Sequence, residues 1–406
     1  MKKKNYLPGL LLRMERIRQN KTQKEVCFGL CVVSYLSKIE NGTAEADPEL
    51  QQQLFARLGI CSATDVTLLE QGRKQIEQCY HDVLYAAPEW EADYAELRAL
   101  GDGLAYSECA LDWYLLYGIH EKRVDDLEKT EQVIHLLREL EEGMDTRQLG
   151  FLRYLENDSE GQCRYLNCSF SKCCLAEQLL ARGELAQIHQ MEPVVTAQAL
   201  QEGNLYYLAY FLLLRGTAYA VLNQEELMMN YYERVEQMLK YTAWKDTLCV
   251  VYYNIGATYL NLKKYDLALE YLHRLEQAKE YQEEKEMYFS YKHKEALACI
   301  RSGRKEEGKK HLDELSACLS EQENPPLVNV LRLEEAMWET KKDYLKNPAY
   351  LELMEQLLSV LKEETPFGYW YFYRDQVVSA CEKQRLYSKA LNYERKFSRE
   401  AEKKVN

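Results

Sequence analysis

The chain of 406 residues has few of the residues that interrupt regular structure, with only 18 glycines and 8 prolines. Leu, Glu, Lys, Gln and Ala, which recur throughout, mostly favour helices. This composition predicts an all-α fold.

The sequence also lacks the usual metal-site and disulfide motifs. Its thirteen cysteines form no CxxC pair, and its seven histidines form neither HxxxH nor HExxH. Many of the cysteines lie in apolar helical stretches, so we expect reduced, buried thiols in a cytoplasmic protein. We expect no metal site and no cofactor.

Long apolar runs are absent, and none approaches the roughly 20 residues of a membrane span. The opening stretch "MKKKNYLPGLLLRMERIRQ" imitates a secretory signal, but its apolar patch stops at Arg13, and Glu15, Arg16 and Arg18 follow. We therefore expect a cytoplasmic protein with no membrane partner.

Signatures of catalysis are missing as well. There is no Gly-rich phosphate loop, no GxSxG and no Cys–His arrangement that can be read from spacing. Glutamates are plentiful, but the pattern places them on solvated helix faces. An enzyme is not expected.

Positive charge is concentrated at one end of the chain. The formal net charge is −13, yet residues 1–40 carry nine Lys or Arg against three Glu, a formal charge of +6. A basic end in an acidic protein predicts attraction to phosphate there and repulsion elsewhere.

The first sixty residues predict four short helices. The apolar stripe of the first comprises Leu7, Leu10, Leu11, Met14 and Ile17. Thr22 and Glu25 form a capping box for the second, "QKEVCFGL", and a turn at 29–31 precedes the third. Asp47 and Pro48 start the fourth, which ends at Gly59.

The segment "TQKEVCFGLCVVSYLSKIENG" resembles the Cro/C1-type helix-turn-helix, in particular that of the RRNPP group of peptide-responsive regulators, which includes PlcR-like and Rgg-like proteins. The resemblance implies that the third helix enters the major groove and that Glu40 pairs with Arg16 or Arg18. The DNA-binding residues are then expected to be Gln23, Lys24, Val33, Ser34, Tyr35, Ser37 and Lys38.

Val32 and Val33 depart from that pattern, since similar proteins usually have a Ser-like cap and a Gln-like base reader there. Valine can still pack against a thymine methyl group, so specificity would be modest and lean on DNA shape. The alternative is a degenerate helix-turn-helix that serves only for dimerisation.

Small residues recur every 40 residues in the remainder, at Ala176, Gly216, Gly256, Ala296 and Ala336. The clearest unit is "VYYNIGATYLNLKKYDLALEYLHRLEQA", which resembles tetratricopeptide repeats. We expect a right-handed tetratricopeptide-like solenoid, with breaks at Pro193, Pro325, Pro326, Pro348 and Pro366.

Three domains follow from these patterns. Residues 1–66 are the predicted helix-turn-helix domain, and 67–88 the linker helix, whose pattern begins at Ser62. Residues 89–406 are the predicted repeat domain for sensing and dimerisation.

The inner surface of such an array can bind an extended peptide, and Asn amides supply both donors and acceptors for its backbone. In RRNPP-like proteins, asparagines on the inner helices hold the peptide. The expected peptide-binding residues are Asn254, Asn261, Tyr210, Tyr253 and Lys292. Alternatively, Asn254 bonds only a neighbouring helix, and the tyrosines are filler between helices.

The sequence thus predicts a homodimeric transcription regulator that binds double-stranded DNA and responds to a short signalling peptide, as in quorum sensing. Two alternatives stay open: an adaptor whose repeat domain binds a protein partner, and a regulator that needs no ligand.

Overall fold

The computed structural model describes residues 7–60, 65–222, 224–277, 285–364 and 367–405. Within these ranges the chain is helical and contains no strand. The predicted all-α class, with a helix-turn-helix followed by paired helices, is confirmed. The chain divides into two compact units, Met1–Lys172 and Cys173–Asn406. The predicted boundaries after 66 and 88 fall inside the first unit and stay predictions.

The first unit begins with four short helices and continues with longer ones. They are α1 (Leu7–Arg18), α2 (Gln23–Cys27), α3 (Val33–Glu40), α4 (Pro48–Arg57), α5 (Val66–Tyr85), α6 (Trp90–Ala99), α7 (Ala110–Arg123), α8 (Leu127–Glu139), α9 (Thr146–Leu155) and α10 (Ser159–Tyr165). The next helix, α11 (Ser169–Arg182), contains the division between the units.

The helix-forming signals near the N-terminus act as predicted. Thr22 accepts a bond from the Glu25 backbone N–H and completes a capping box, and Asp47 caps α4 with Pro48 in its first turn. Helix α2 ends at Cys27, three residues before the end of the predicted "QKEVCFGL". Leu36, Leu54 and Phe55 are buried in the core that α1 to α4 share.

The predicted stripe of α1 is wrong at Ile17, which is 55% exposed. Leu11 is buried as predicted, and Leu12 and Glu15 are buried beside it. At 100° per residue, Ile17 lies about 140° around the helix from Leu12. The apolar pattern misled here because a glutamate occupies the inner face.

Helix α5 follows the four short helices. Asp65 caps it by accepting a bond from the Thr67 backbone N–H, and the helix ends before Ala86, which has a left-handed conformation. The predicted start at Ser62 lies outside the described residues. Gly72 packs against Leu104 so closely that a Cβ at this position would lie 2.7 Å from a Leu104 methyl carbon.

The second unit is built from helix pairs. The first members are α11, α13 (Leu205–Val221), α15 (Lys245–Asn261), α17 (Lys285–Arg301) and α19 (Leu327–Glu339). Their partners are α12 (Leu185–Glu202), α14 (Glu225–Leu239), α16 (Tyr265–His273), α18 (Lys305–Ser320) and α20 (Pro348–Glu364). Successive first helices from α13 to α19 also contact one another.

The chain ends with α21 (Phe367–Tyr371), α22 (Arg374–Lys383) and α23 (Tyr387–Val405). Helices α22 and α23 pack as a pair, and α23 also contacts α12. The last helix of the unit, α23, therefore lies against α12, near the unit's beginning.

The residues of the 40-residue series all lie on the first helices of pairs, at points where the two helices of a pair cross closely. A Cβ on Gly216 would lie 2.5 Å from the Tyr232 ring, and one on Gly256 would lie 2.7 Å from Leu272 Cγ. Ala176, Ala296 and Ala336 are fully buried. Small residues are needed because a larger side chain would push the paired helices apart.

The predicted break at Pro193 is wrong, since this residue lies inside α12. Proline removes one backbone hydrogen bond, but buried Ile188, Val195 and Ala199 hold the helix in place by packing. Pro326 and Pro348 mark helix starts as predicted, and Pro366 lies outside the described residues.

A buried charge in α13 has a partner on α12. Arg215 Nη2 lies 2.8 Å from Glu192 Oε2 and donates to the Tyr231 hydroxyl. This ion pair accounts for an arginine at a buried helix position.

None of the helices in the described chain combines the length and apolar character that crossing a bilayer demands.

Candidate functional site

A cavity of about 640 Å³ lies within the second unit. Residues of α11, α13, α15 and α17, the first helices of four pairs, line it together with segment 368–372. The lining is largely apolar and aromatic, and its carboxylate and ammonium groups belong to Glu177, Asp246 and Lys294. The volume is in the range of small-ligand sites.

Four of the five residues predicted to bind a peptide line this one cavity. Asn254 and Asn261 come from α15, as does Tyr253, and Tyr210 comes from α13. Asn254 lies two turns of helix before Asn261, so both amides lie on one side of α15. The structure therefore brings together residues up to 51 positions apart.

Asn254 bonds a neighbouring helix as well as facing the cavity. Its Nδ2 donates to Thr217 Oγ1 on α13 at 3.1 Å, and the Tyr232 hydroxyl lies 3.0 Å from the same Thr217 oxygen. An Asn amide has two N–H groups and a carbonyl oxygen, and the Thr217 bond uses one N–H. The contact that the sequence left as an alternative is present, and it fixes the amide at the cavity wall.

Tyr210 lies where the cavity approaches α11. Burial raises the pKa of its hydroxyl well above the ordinary value, and the neighbouring Glu177 carboxylate adds to this shift. Its ring stacks on Tyr206, with the centroids 5.8 Å apart. Tyr210 is thus a neutral hydrogen-bonding group in an aromatic wall.

Lys292 is not among the lining residues, whereas Lys294 is. The Lys292 ammonium donates to Glu295 Oε2 at 2.9 Å. Residues two positions apart on a helix point about 200° apart, so the two lysines lie on different sides of α17. The basic residue that lines the cavity is therefore Lys294.

Segment 368–372 lies against the first helices of the pairs that line the cavity. Tyr369, Tyr371 and Phe372 line the cavity, and a Cβ on Gly368 would lie 3.1 Å from Val221 on α13. The Phe372 ring centroid is 2.8 Å from the Lys294 ammonium nitrogen. The wall opposite the helices is therefore aromatic.

A second candidate surface is formed by α2 and α3 in the first unit. The turn between them includes Gly29, whose φ of 74° is a left-handed conformation that favours glycine. Val32 is the N-cap of α3, but its side chain has no atom that can bond the first backbone N–H groups. The two helices pack against each other around Val26 and Leu36.

Of the two arginines predicted as partners of Glu40, Arg16 is the one that pairs with it. Arg16 Nε and Nη2 donate to the two carboxylate oxygens of Glu40 at 2.6 and 2.8 Å. Gln23 Nε2 also donates to Glu40, at 2.8 Å, so this residue, expected to bind DNA, is bonded within the domain. Arg18 pairs with Glu15 instead.

The other predicted DNA-binding residues are all at least partly exposed. Lys24, Val33, Ser34 and Lys38 are exposed. Tyr35 and Ser37 are half-buried; the Tyr35 hydroxyl donates to the Glu45 carbonyl oxygen at 2.9 Å, and Ser37 Oγ accepts a long bond from Asn41. Val32, beside them, is 68% exposed.

Residues 12–66 match the Helix-turn-helix family. The matched stretch of the helix-turn-helix includes all of α2, α3 and α4. It supports the coarse part of the prediction, a DNA-binding transcription regulator. A search of curated proteins found no match.

Lys294 is a charged lining residue that the sequence-based prediction missed. The 40-residue offset that relates Gly216 to Gly256 also relates Asn254 to Lys294. Applying that offset to Asn254 would have selected Lys294 rather than Lys292. No comparable signal pointed to segment 368–372.

Proposed function

We propose that the protein is a homodimeric transcription regulator that binds operator DNA through α3 and a short signalling peptide in the cavity of its second unit. The observation that best supports peptide binding is the position of Asn254. Its amide is held by Thr217 at the wall of a cavity that the first helices of four successive pairs line. Quorum sensing is the setting in which such a peptide would act.

The outer side of α3 suits contact with the major groove. Val33 and Ser34 begin the helix and would meet base edges, while Lys24 and Lys38 would attract phosphate. Exposed Val32 and Val33 favour thymine methyl groups over hydrogen-bonded readout. Gln23 would act mainly by orienting Glu40, to which it is bonded.

The cavity suits an extended peptide of a few residues. Asn254 and Asn261 offer donors and acceptors to a backbone, and the aromatic residues around them offer apolar contact for side chains. Apolar surroundings strengthen such bonds because competing water is excluded.

Coupling of peptide binding to DNA binding would require two subunits. One helix-turn-helix gives a small interface, and two half-sites at a fixed spacing double it. In our proposal the peptide favours one arrangement of the dimer, and this arrangement sets the distance between the two α3 helices.

The proposal is tested with full-length protein in two steps. Selection from random duplexes at low salt should yield a bound DNA sequence, and short linear peptides should then change the affinity for it. Asn254→Ala should abolish the peptide effect and leave basal DNA binding unchanged. Asn230→Ala, an exposed position on α14, is the matched control.

Two results would count against the proposal. Absence of duplex binding by the full chain would remove the DNA half. Capture of a folded protein partner through the cavity, with no response to any short peptide, would favour the adaptor alternative.

A further inference from the structure

The geometry points to Lys294 as the group that recognises a carboxylate of the bound ligand, a specificity that rests on the proposed function. Lys294 lies near the middle of α17, lines the cavity and is only 4% exposed. It is therefore a buried basic group at a cavity wall.

Within the described ranges, no carboxylate or other acceptor bonds the Lys294 ammonium group. Its described polar contacts are with the faces of aromatic rings, Phe372 and, at 5.8 Å, Tyr373. A buried ammonium group without an anion is costly, because ring faces replace only part of its lost hydration. An anion entering the cavity would supply the missing partner.

Two further basic residues, Arg301 and Arg332, act on Lys294 and add positive charge around it. Arg301 on the same helix is paired with Glu339, to whose oxygens its Nε and Nη2 donate. Arg332 on α19 is also buried, but in the described part of the chain its polar contacts are Asn329, His293 and Tyr373 rather than a carboxylate. Burial raises the pKa of Glu335 well above its ordinary value, which diminishes its negative charge.

These neighbours also act on the protonation of Lys294. Burial lowers its pKa well below the ordinary value, and Arg332 and Arg301 lower it further, while Glu335 and Glu339 oppose the shift. His293, beside it, has a pKa lowered well below its usual range by burial and by the same arginines. A ligand carboxylate would restore the charged form of Lys294.

Lys292 provides an internal comparison. It is also buried, at 7% exposed, but it lies away from the cavity and is paired with Glu295. Helix α17 thus neutralises the lysine that faces protein and leaves the lysine that faces the cavity without an anion in the described chain.

A peptide carboxylate fits this site better than a larger anion. The rest of the wall is apolar and aromatic, and Glu177 and Asp246 place negative charge elsewhere on it. This pattern favours one compact anionic group on an apolar ligand and disfavours a polyanion. Every unmodified linear peptide carries such a group at its C-terminus.

The test uses full-length protein and a library of short apolar peptides without Asp or Glu, made with free and with amidated C-termini. Bound peptides are identified by affinity selection and measured by calorimetry. We expect the free-acid form to bind about thirtyfold more tightly than its amide, as for a buried charge pair that loses one partner. Lys294→Met should abolish this difference, and Lys292→Met should retain it.

Each outcome decides the matter. Equal binding of acid and amide forms would overturn the role of Lys294 while leaving peptide binding intact. Binding restricted to a parallel amidated library that contains Asp or Glu would assign the site to a side-chain carboxylate. No binding by any library would overturn both the inference and the peptide half of the proposed function. The acid–amide comparison on the unmodified protein stands even if Lys294→Met fails to fold.

Discussion

Arg16 and Glu40 make a two-bond ion pair that joins the first helix of the helix-turn-helix to the last residue of its third, with donor–acceptor distances of 2.6 and 2.8 Å. Because Glu40 is buried and also accepts from Gln23, the pair fixes the orientation of α3.

Glu40→Ala should destabilise the helix-turn-helix by about 3–5 kcal/mol, because it leaves the Arg16 guanidinium with no carboxylate partner at a largely buried site. Chemical denaturation of the full chain, followed by circular dichroism, measures this loss. Glu49→Ala, at an exposed carboxylate on α4, should change stability by less than about 0.5 kcal/mol. Similar losses for both variants would show that the pair has no special role.

Val32→Ser should stabilise α3 by about 1 kcal/mol, because a serine hydroxyl can accept a bond from a first-turn backbone N–H where valine cannot. Little packing is lost, since Val32 is mostly exposed. The denaturation midpoint should rise, and Val33→Ser, one position inside the helix, should give no such rise. A fall in the midpoint for Val32→Ser would mean that this valine packs against a partner surface.

Gly216→Ala should destabilise the second unit by about 1–3 kcal/mol, because the added methyl group collides with the buried Tyr232 ring. Gly143→Ala is the matched control, since a Cβ there meets open space. Differential scanning calorimetry should show a lower melting temperature for the first variant alone. An unchanged melting temperature for Gly216→Ala would mean that the helix pair has room to spread.

Tyr106→Phe should destabilise the protein most at neutral pH, and this loss should shrink as the pH becomes acidic. Burial alone would raise the pKa of Glu15, but bonds from Arg18, Gln19 and the Tyr106 hydroxyl outweigh it and bring the pKa below 4.5. Glu15 therefore contributes stability that is complete above that value and lost as pH falls through the lowered pKa. Removing the Tyr106 bond moves this pKa back towards 4.5, so part of that stability is lost at neutral pH and the two proteins become equally stable in acid. Denaturation over a pH series measures the difference, and an equal loss at every pH would contradict the assignment.

Peptide binding should weaken as pH rises, if the ligand carboxylate pairs with Lys294. Burial and the neighbouring arginines lower the pKa of Lys294, and a bound carboxylate would raise it again. Between these two pKa values binding takes up a proton, so the affinity should fall by up to about tenfold per pH unit. Calorimetry in buffers of different ionisation enthalpy measures the uptake, and Lys294→Met should show none.

Much of the architecture was readable from short-range signals. The capping box of Thr22 and Glu25 and the Asp47–Pro48 start depend on residues within one helical turn, so they survive in any tertiary context. The 40-residue spacing of Gly216 and Gly256 is equally robust, because each repeat needs the same close crossing.

Side-chain direction on α1 and α17 was harder to predict. Ile17 is exposed because buried Glu15 finds three hydrogen-bonding partners, one of them Tyr106, which lies 91 residues away. Lys292 and Lys294 differ only in which side of α17 meets Glu295 and which meets the cavity. Apolar periodicity cannot distinguish such positions when charged residues are buried on both sides.

The amino-acid sequence by itself determined the helical class, the helix-turn-helix and the repeat period, because these follow from local propensity, caps and crossing residues. Only the tertiary structure decided that Phe372 lies against Lys294, 78 positions earlier in the chain, and that both line the cavity of Asn254. That contact forms because the stacked helix pairs together place the end of the chain against the first helices that line the cavity. It is a property of the whole unit and cannot be read from any one segment.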